Sequence, residues 1–443
     1  MKHATLFKKA LSLLCAFALL FSLAACGEAP GGDVPASVPE STAEAGLPIA
    51  PGGKVQAADL LEDFTPQPVE TKQADEAFAG ALYRLGSLLL QKVREEKPGE
   101  NLLVSPLSVL TALTMTANGA AGTTLEEMEK VLGGSLKLAD LNAYQAGWYQ
   151  SLAASEDLTL CFANAIWFKE EQDLIIKDSF LQKNVDHFTA AIRKAPFNEE
   201  TLRDINQWTD TNTHHMIPKV LEELDPADVM VLLNALCFEA KWAEPFDENA
   251  IDKAAPFTAE GGTVRTVPQM RGTVRQYLAD ESCTGFCKDY KGGYSYVALK
   301  PAEGVSLEDF IASLSAEKLS KLLAGQENTA VSVGLPKYSY DFGIDLAQAL
   351  MDLGMPTAFV GADFSGITDS YPLSIGRVIH KTHIDVDSEG TKAAAVTAVT
   401  MRKNAAPFYP DQKEVVLDRP FVYLILDQNG IPLFMGAVSD IAP

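Results

Sequence analysis

The sequence predicts an α+β fold in which strands and helices are grouped rather than alternated, and three observations carry that prediction. Apolar runs of strand length occupy 162–168, 229–238 and 421–426, the last facing 433–438 across Asn429-Gly430, a dipeptide that closes hairpins. Other segments carry apolar residues at helical spacing, such as Phe78, Leu82, Leu85, Leu89 and Val93. The two kinds of segment do not take turns along the chain, so a doubly wound parallel sheet is not expected.

The chain has 443 residues, 47% of them hydrophobic, enough to bury a large core. Its formal net charge of -23 opposes a polyanion, so no nucleic-acid partner is expected. The chain is expected to act as a monomer.

The first residues read as a targeting segment rather than as part of the fold. Lys2, Lys8 and Lys9 precede an apolar run over 10–25 that is short for a membrane span and built like a secretory signal. It ends in Leu23-Ala24-Ala25-Cys26-Gly27, which resembles the lipobox of bacterial lipoproteins. That resemblance implies a lipoprotein signal peptide over 1–25, lipidation of Cys26, and a protein held on the outer face of the bacterial cytoplasmic membrane or at the cell surface. More than one acyl chain would make such an anchor stable. Residues 26–70, rich in Pro, Gly, Ala, Ser and acids, are expected to be a disordered tether.

The body begins with the helix that starts near Asp75 and stops at Lys97-Pro98-Gly99. Residues 101–134 then read as strand, helix, turn, helix: Ser105 caps the first helix with Pro106 in its opening turn, while Leu110, Leu113 and Ala117 continue its buried face. Thr124 and Glu127 have the spacing of a capping box for the second helix, which Gly133 closes. A further helix is expected over 344–353, stopped by Gly354.

This string closely resembles the signature of the serpin family, down to the Ser-Pro-x-Ser start and the Gly-Ala-x-Gly-x-Thr turn. The resemblance continues, in order, through Phe162-Ala163-Asn164-Ala165-Ile166-Trp167, Ile205-Asn206-Gln207-Trp208, Val231-Leu232-Leu233-Asn234-Ala235 and Lys241-Trp242-Ala243-Glu244-Pro245-Phe246. Later blocks are Leu335-Pro336-Lys337-Tyr338, Ala362-Asp363-Phe364-Ser365-Gly366, Ile379-His380-Lys381, Asp418-Arg419-Pro420-Phe421 and Leu433-Phe434-Met435-Gly436. Coverage runs from about residue 75 to 441. The resemblance implies a serpin domain over 71–443, with about nine helices, three β-sheets and an exposed reactive-centre loop over 388–417.

That loop lies in a stretch whose halves obey different rules. Residues 390–400 are small or β-branched and lack proline, so they can enter a sheet. Residues 401–417 contain Pro407, Pro410 and many polar side chains and read as loop. By resemblance the first half is the hinge, with Glu389, Gly390, Thr391, Ala393, Ala394, Ala395 and Thr397 as its marked positions. A protease that cuts beyond it becomes acylated, and the freed segment inserts as a new central strand. Strand alternation then turns Thr391, Ala393, Ala395 and Thr397 inward and Lys392, Ala394 and Val396 outward. All four inward side chains are small. Counting fourteen residues from Gly390, as the family pattern does, puts the reactive bond at Asn404-Ala405; Lys403 or Arg402 would instead suit an acidic trypsin-like pocket. Ser388 stands where the family commonly has an acid, which weakens a closing contact. By resemblance also, Ser105, Ser108, Asn234 and His380 form a polar cluster that controls opening of the main sheet, with Trp242 at the sheet's upper end.

Other candidate chemistries find little support. His380 and His383 lie three apart in a strand and face opposite ways, which rules out a shared ion. Asp385-x-Asp387-x-Glu389-Gly390 begins like a calcium loop, but its twelfth position is Val396. His214-His215 replace the family's usual Gly-Lys pair, and the conformation of that turn is open. Gly-x-Ser-x-Gly, His-Glu-x-x-His and phosphate-loop motifs are absent from the sequence. No metal, cofactor or catalytic residue is expected, and the chain is not read as an enzyme.

Of six cysteines, Cys15 leaves with the signal and Cys26 carries lipid. Cys283 and Cys287 flank Thr-Gly-Phe in a polar stretch; an exported protein can oxidise them, and reduced thiols are equally compatible with the sequence. Cys161 and Cys237 each lie three residues from an asparagine on strands expected to be neighbours; antiparallel pairing would set the thiols opposite one another.

The expected function is suicide inhibition of an extracellular target protease, serine or cysteine in class, by loop insertion. Two alternatives stand beside it. A non-inhibitory serpin acting as a binding module would carry bulky or charged inward hinge residues, and a solute-binding lipoprotein would need two lobes of repeating strand-helix units.

Overall fold

The computed structural model describes residues 57–441, apart from 153–157, 172, 189, 226 and 392–411. Nine α-helices lie among the described residues: α1 Glu76–Glu96, α2 Pro106–Ala117, α3 Gly122–Gly133, α4 Leu138–Ser151, α5 Asp178–His187, α6 Glu199–Asn212, α7 Leu307–Ala312, α8 Ala316–Ala324 and α9 Ala347–Leu353. The Asp75 side chain caps α1 by accepting from the amides of Ala77 and Phe78, both at 3.0 Å. The predicted stripe of α1 is wholly buried. Every side chain of α2 is buried, because the helix passes between the two sheets.

The main sheet runs β1 (Ala58–Asp59), β4 (Ala191–Ala195), β3 (Leu158–Lys169), β5 (Met230–Lys241), β13 (Gly390–Thr391), β12 (Arg377–Val386), β11 (Tyr338–Asp345). The second runs β14 (Lys413–Val416), β10 (Glu327–Pro336), β7 (Val264–Ala279), β8 (Cys283–Asp289), β9 (Ser295–Pro301), β15 (Phe421–Leu426), β16 (Pro432–Val438), β2 (Leu102–Val104), with β6 (Asp252–Thr258) beside β7. The resemblance implies three sheets; among the described residues two of them run together into one, because β7 is 16 residues long and serves two strand sets. Its first half pairs with β6 and its second with β8, while β10 lies along both.

Several expectations give way to tertiary contacts. Residues 57–70, assigned to the tether, lie along the body instead. Ala58 and Asp59 pair with Lys194 and Arg193, the Gln67 amide donates to Asp186 Oδ1 at 2.7 Å, and just beyond them Lys72 N donates to Ala143 O at 2.9 Å. A side chain at Gly147 would sit 2.1 Å from Lys72 O, so only glycine admits that approach. Such anchoring uses backbone groups and leaves no periodic trace in sequence.

The capping box at Thr124 and Glu127 does not form, since α3 starts after Ala121. Thr124 Oγ1 instead accepts from the Asp363 amide at 3.0 Å, and Glu127 Oε2 accepts from Thr357 N and Oγ1 at 3.0 and 2.7 Å, so both residues fasten a distant segment. The helix over 344–353 begins late: Ile344 and Asp345 still pair in β11 with His380 and Ile379. The loop read to Leu417 ends early, because Lys413–Val416 joins β10 as an edge strand with Val415 buried. Cys283 and Cys287 stand four apart in one extended strand, about 13 Å between α-carbons, too far for a bond that spans about 4.4–6.8 Å; both are free and buried.

Candidate functional site

The main sheet is closed below and parted above between β5 and β12. These strands pair in parallel from Arg377↔Val231 to Thr382↔Leu236, and there the ladder stops. Above that point Gly390–Thr391 enters between them, antiparallel to both: Gly390 faces Lys241, and Thr391 faces Ala240 on one side and Val386 on the other. The first hinge residues thus already occupy the opening of a central-strand position.

Backbone geometry explains which residues stand there. A β-carbon at Gly390 would lie 2.1 Å from Ala240 O, so this point of entry admits glycine alone. Asp387 Oδ1 accepts from the amides of Glu389 and Gly390 at 2.8 and 3.0 Å, folding the turn that feeds the strand into the sheet. Thr391 is 1% exposed and shares a hydrogen bond with the Tyr290 hydroxyl, which places its side chain inward as the alternation requires.

Trp242 lies at the upper end of the parting. Its amide donates to Glu389 O at 2.8 Å and its indole Nε1 to Asp387 O at 2.9 Å, while the ring stacks on Tyr290 with centroids 4.2 Å apart. Beneath lies Lys288, almost fully buried, its ammonium donating to Glu244 O at 2.6 Å and resting 4.3 Å from the Phe246 ring centre. Burial lowers its pKa to about 8.

The carboxylate missing at Ser388 is supplied from elsewhere. Ser388 Oγ donates to Glu248 Oε1, and Lys337 Nζ donates to both at 3.1 Å. The Ser388 hydroxyl, and after it Lys337, holds Glu248 below the usual glutamate range against the opposing effect of burial. The closing contact expected to be weakened is therefore rebuilt as a three-member link.

Below the parting, four predicted residues converge. Ser105 Oγ accepts from Ser108 N at 3.2 Å, as the predicted helix cap, and Ser105 N donates to His380 Nε2 at 3.2 Å. His380 Nδ1 meets Asn234 Oδ1 at 2.7 Å. With Nε2 accepting, Nδ1 carries the proton, and the imidazole is neutral. Burial drives its pKa down to about 4. All four residues are buried. Trp242 is not among them, standing eight residues up β5 from Asn234, about 26 Å away in an extended strand. His383 faces outward to Asp341 Oδ1 at 2.8 Å, opposite to His380.

A fifth member was not singled out in sequence. Asn164 Oδ1 accepts from Ser108 Oγ at 3.1 Å and from Asn234 Nδ2 at 3.2 Å, and it sits directly across from Asn234 in the β3–β5 register. An asparagine in the middle of an apolar strand was its available signal. Tyr290, Lys288 and Glu248 left none, because they reach the hinge only through the fold. Of the hinge positions, Glu389, Gly390 and Thr391 stand as given above; Ala393, Ala394, Ala395, Thr397 and the reactive-bond candidates Arg402, Lys403, Asn404 and Ala405 lie outside the described residues, as does Cys26.

An α+β body whose seven-stranded main sheet is parted between β5 and β12 and entered there by Gly390–Thr391 defines a protein built around strand insertion. The chain belongs to the serpin family: the family model described as "Serpin (serine protease inhibitor)" matches residues 81–441. Among curated proteins it is 32% identical to an uncharacterised serpin-like protein of Thermococcus kodakarensis, over 77% of this chain and 80% of that one. It is 30% identical to an alpha-1-antitrypsin-like protein of Tamias sibiricus, over 88% and 94% of the two chains. Among solved structures, the thermophilic serpin tengpin in its native state is 38% identical, with a TM-score of 0.82 over 87% of this chain and all of that one. Tengpin in its latent state gives 0.72. The present arrangement is thus nearer to that relative's native form than to its latent form. Serpins are for the most part protease inhibitors rather than enzymes.

Proposed function

We propose that this chain is an inhibitory serpin that traps a serine protease outside the cell by inserting its cleaved loop into the main sheet. One observation carries the reading: Gly390–Thr391 already stands between β5 and β12 as the first rung of an antiparallel strand. Extending both registers by six residues brings Thr397 opposite Asn234 on one side and His380 on the other, since Thr391 now faces Ala240 and Val386. Insertion therefore runs into the polar cluster. It must part the His380–Asn234 contact, and the Thr397 hydroxyl arrives there as a replacement partner.

The energetics favour completion. One parallel ladder over Arg377–Thr382 is exchanged for two antiparallel ones, and antiparallel pairing is the somewhat stronger kind. Roughly a dozen new ladder bonds at about 0.5–1.5 kcal/mol net each give on the order of 10 kcal/mol, comparable to the whole stability of an enzyme, about 5–15 kcal/mol. A fifteen-residue strand carries an acylated end roughly 50 Å. The reactive bond lies within Arg402–Ala405. Lys2, Lys8, Lys9 and the lipobox-like Leu23-Ala24-Ala25-Cys26 support export and a lipid anchor for this activity.

Incubation with trypsin-, elastase-, subtilisin- and legumain-like enzymes tests the proposal. A denaturant-resistant complex with one of them, and a released C-terminal peptide beginning within 403–405, is the expected result. Cleavage in the loop by every enzyme without any complex would refute it.

A further inference from the structure

Two free thiols stand opposite one another in the main sheet and take no part in the trapping step. Cys161 on β3 and Cys237 on β5 are direct partners in the antiparallel register. Residues so opposed have α-carbons about 4.5–5.5 Å apart, inside the range of about 4.4–6.8 Å that a disulfide spans. Both side chains point to the α6 side of the sheet. Strand alternation puts them on the face of Ala163 and Ala235, which pack with Ile217 beyond the end of α6. The Cys237 thiol confirms this by approaching Thr213 O at 3.5 Å, just past the helix, and Cys161 O at 3.8 Å.

We infer that Cys161 and Cys237 form an oxidisable dithiol site that an external disulfide converts to a cross-strand bond, stapling β3 to β5 beside the insertion seam. The position gives the bond a consequence. Cys237 follows Leu236, the last residue of β5 paired with β12, so the staple falls where the sheet begins to part. Stapled to β3, β5 can separate from β12 only as part of a two-strand unit and cannot fray from β3.

The order of attack also follows. Leu158, Thr159 and Leu160 are only half-buried, so Cys161, 6% exposed, is the first buried residue from the open end of its strand, whereas Cys237 is 1% exposed. The contact with Cys237 holds Cys161 below the usual thiol range and pushes Cys237 above it. The Cys161 thiolate therefore attacks one sulfur of the external disulfide, whose bond breaks and releases one thiol with the proton from Cys161. Cys237 then gives up its proton, attacks the Cys161 sulfur and expels the second external thiol. Two protein thiols are oxidised and one external disulfide is reduced to two thiols.

The test uses the full chain incubated with oxidised glutathione, or with dithiothreitol in parallel, followed by non-reducing digestion and mass spectrometry. The oxidised arm is expected to join the two peptides carrying Cys161 and Cys237 within one chain, and the reduced arm to leave them separate. In Cys237→Ala the glutathione adduct should accumulate on Cys161; in Cys161→Ala, Cys237 should remain a thiol. Amide exchange across 158–163 should slow in oxidised wild type, a readout that needs no variant. Two free thiols after prolonged oxidation, adducts appearing first on Cys237, or exchange unchanged by oxidation would each overturn the inference.

Discussion

Two strand seams in this molecule, one finished and one provisional, show what the serpin body stores. β15 and β16 pair antiparallel from Phe421↔Val438 to Leu426↔Pro432, and every residue in both is buried. Tyr423 stacks on Tyr296 at 5.6 Å and shares a 2.8 Å hydrogen bond with Tyr340, while Gly436 leaves the room that the Tyr423 ring fills. Nothing remains for that seam to gain. The β5–β12 seam is parallel, crosses a neutral buried histidine paired with Asn234, which Asn164 of β3 holds from behind, and stops at Leu236 with both strands running on. Strength therefore sits where the chain has reached its final pairing, and capacity for change sits where polar side chains hold a weaker pairing in place.

That contrast is broken most severely at the wedge. Thr391→Arg must bury a guanidinium beside Tyr290 where the threonine is 1% exposed. A buried unpaired charge costs several kcal/mol, so the substitution should drive the Gly390–Thr391 rung out of the intact sheet, and its re-entry after cleavage should slow insertion at least about tenfold while cleavage continues. The stoichiometry of inhibition should rise accordingly and the variant behave as a substrate; an unchanged stoichiometry would show that seating of this rung does not govern the trapping step.

The polar cluster sharpens the comparison through pH. His380 has a pKa of about 4 when folded, below the ordinary 6.5, so the unfolded chain takes up its proton first as pH falls. Its contribution is fully present above about pH 6.5 and is lost on the way down to about pH 4, amounting to about 3 kcal/mol. Denaturant midpoints of wild type and His380→Asn, compared at pH 7 and pH 4, should show the pH slope diminished by that amount in the variant. Equal slopes would mean that His380 is not held neutral.

Smaller effects lie at the edges of the seam. Glu248→Ala removes the acceptor from Ser388 and Lys337, and should destabilise the intact form by about 0.5–1 kcal/mol, the worth of a half-exposed hydrogen bond; spontaneous loop insertion, followed by native gels on warming, should quicken. His214 holds a φ of 49° beside His215 at 65°, both left-handed. His214→Gly relieves a cost of about 1 kcal/mol and should raise the unfolding midpoint slightly, whereas His215→Gly also forfeits its 2.7 Å contact with Asp210 and should gain less.

What was legible in sequence follows the same division. The hairpin of β15 and β16, the α1 stripe and the Ser105 cap were readable because local pattern and tertiary role agree there. The inward turn of Thr391 follows from period two once the resemblance marks the segment as the hinge. Family likeness supplied Ser105, Ser108, Asn234 and His380, which no periodicity would gather from three distant segments. Asn164 was overlooked although it interrupts an apolar strand. Thr124 and Glu127 were misread since a capping pattern can be recruited to clasp a remote loop, and residues 57–70 were misread since backbone hydrogen bonds carry no side-chain signature. Glu248 at the hinge was unreadable in principle: it restores a charge that Ser388 lacks, from 140 residues away.

The central claim is that the intact chain holds its main sheet short of its most stable pairing. Thermal unfolding of the intact protein and of protein cleaved within 402–405 measures this directly. With on the order of 10 kcal/mol released by insertion, the cleaved form should unfold roughly 20 °C or more above the intact one. Coincident midpoints, with no added strand between β5 and β12 in the cleaved structure, would contradict the account.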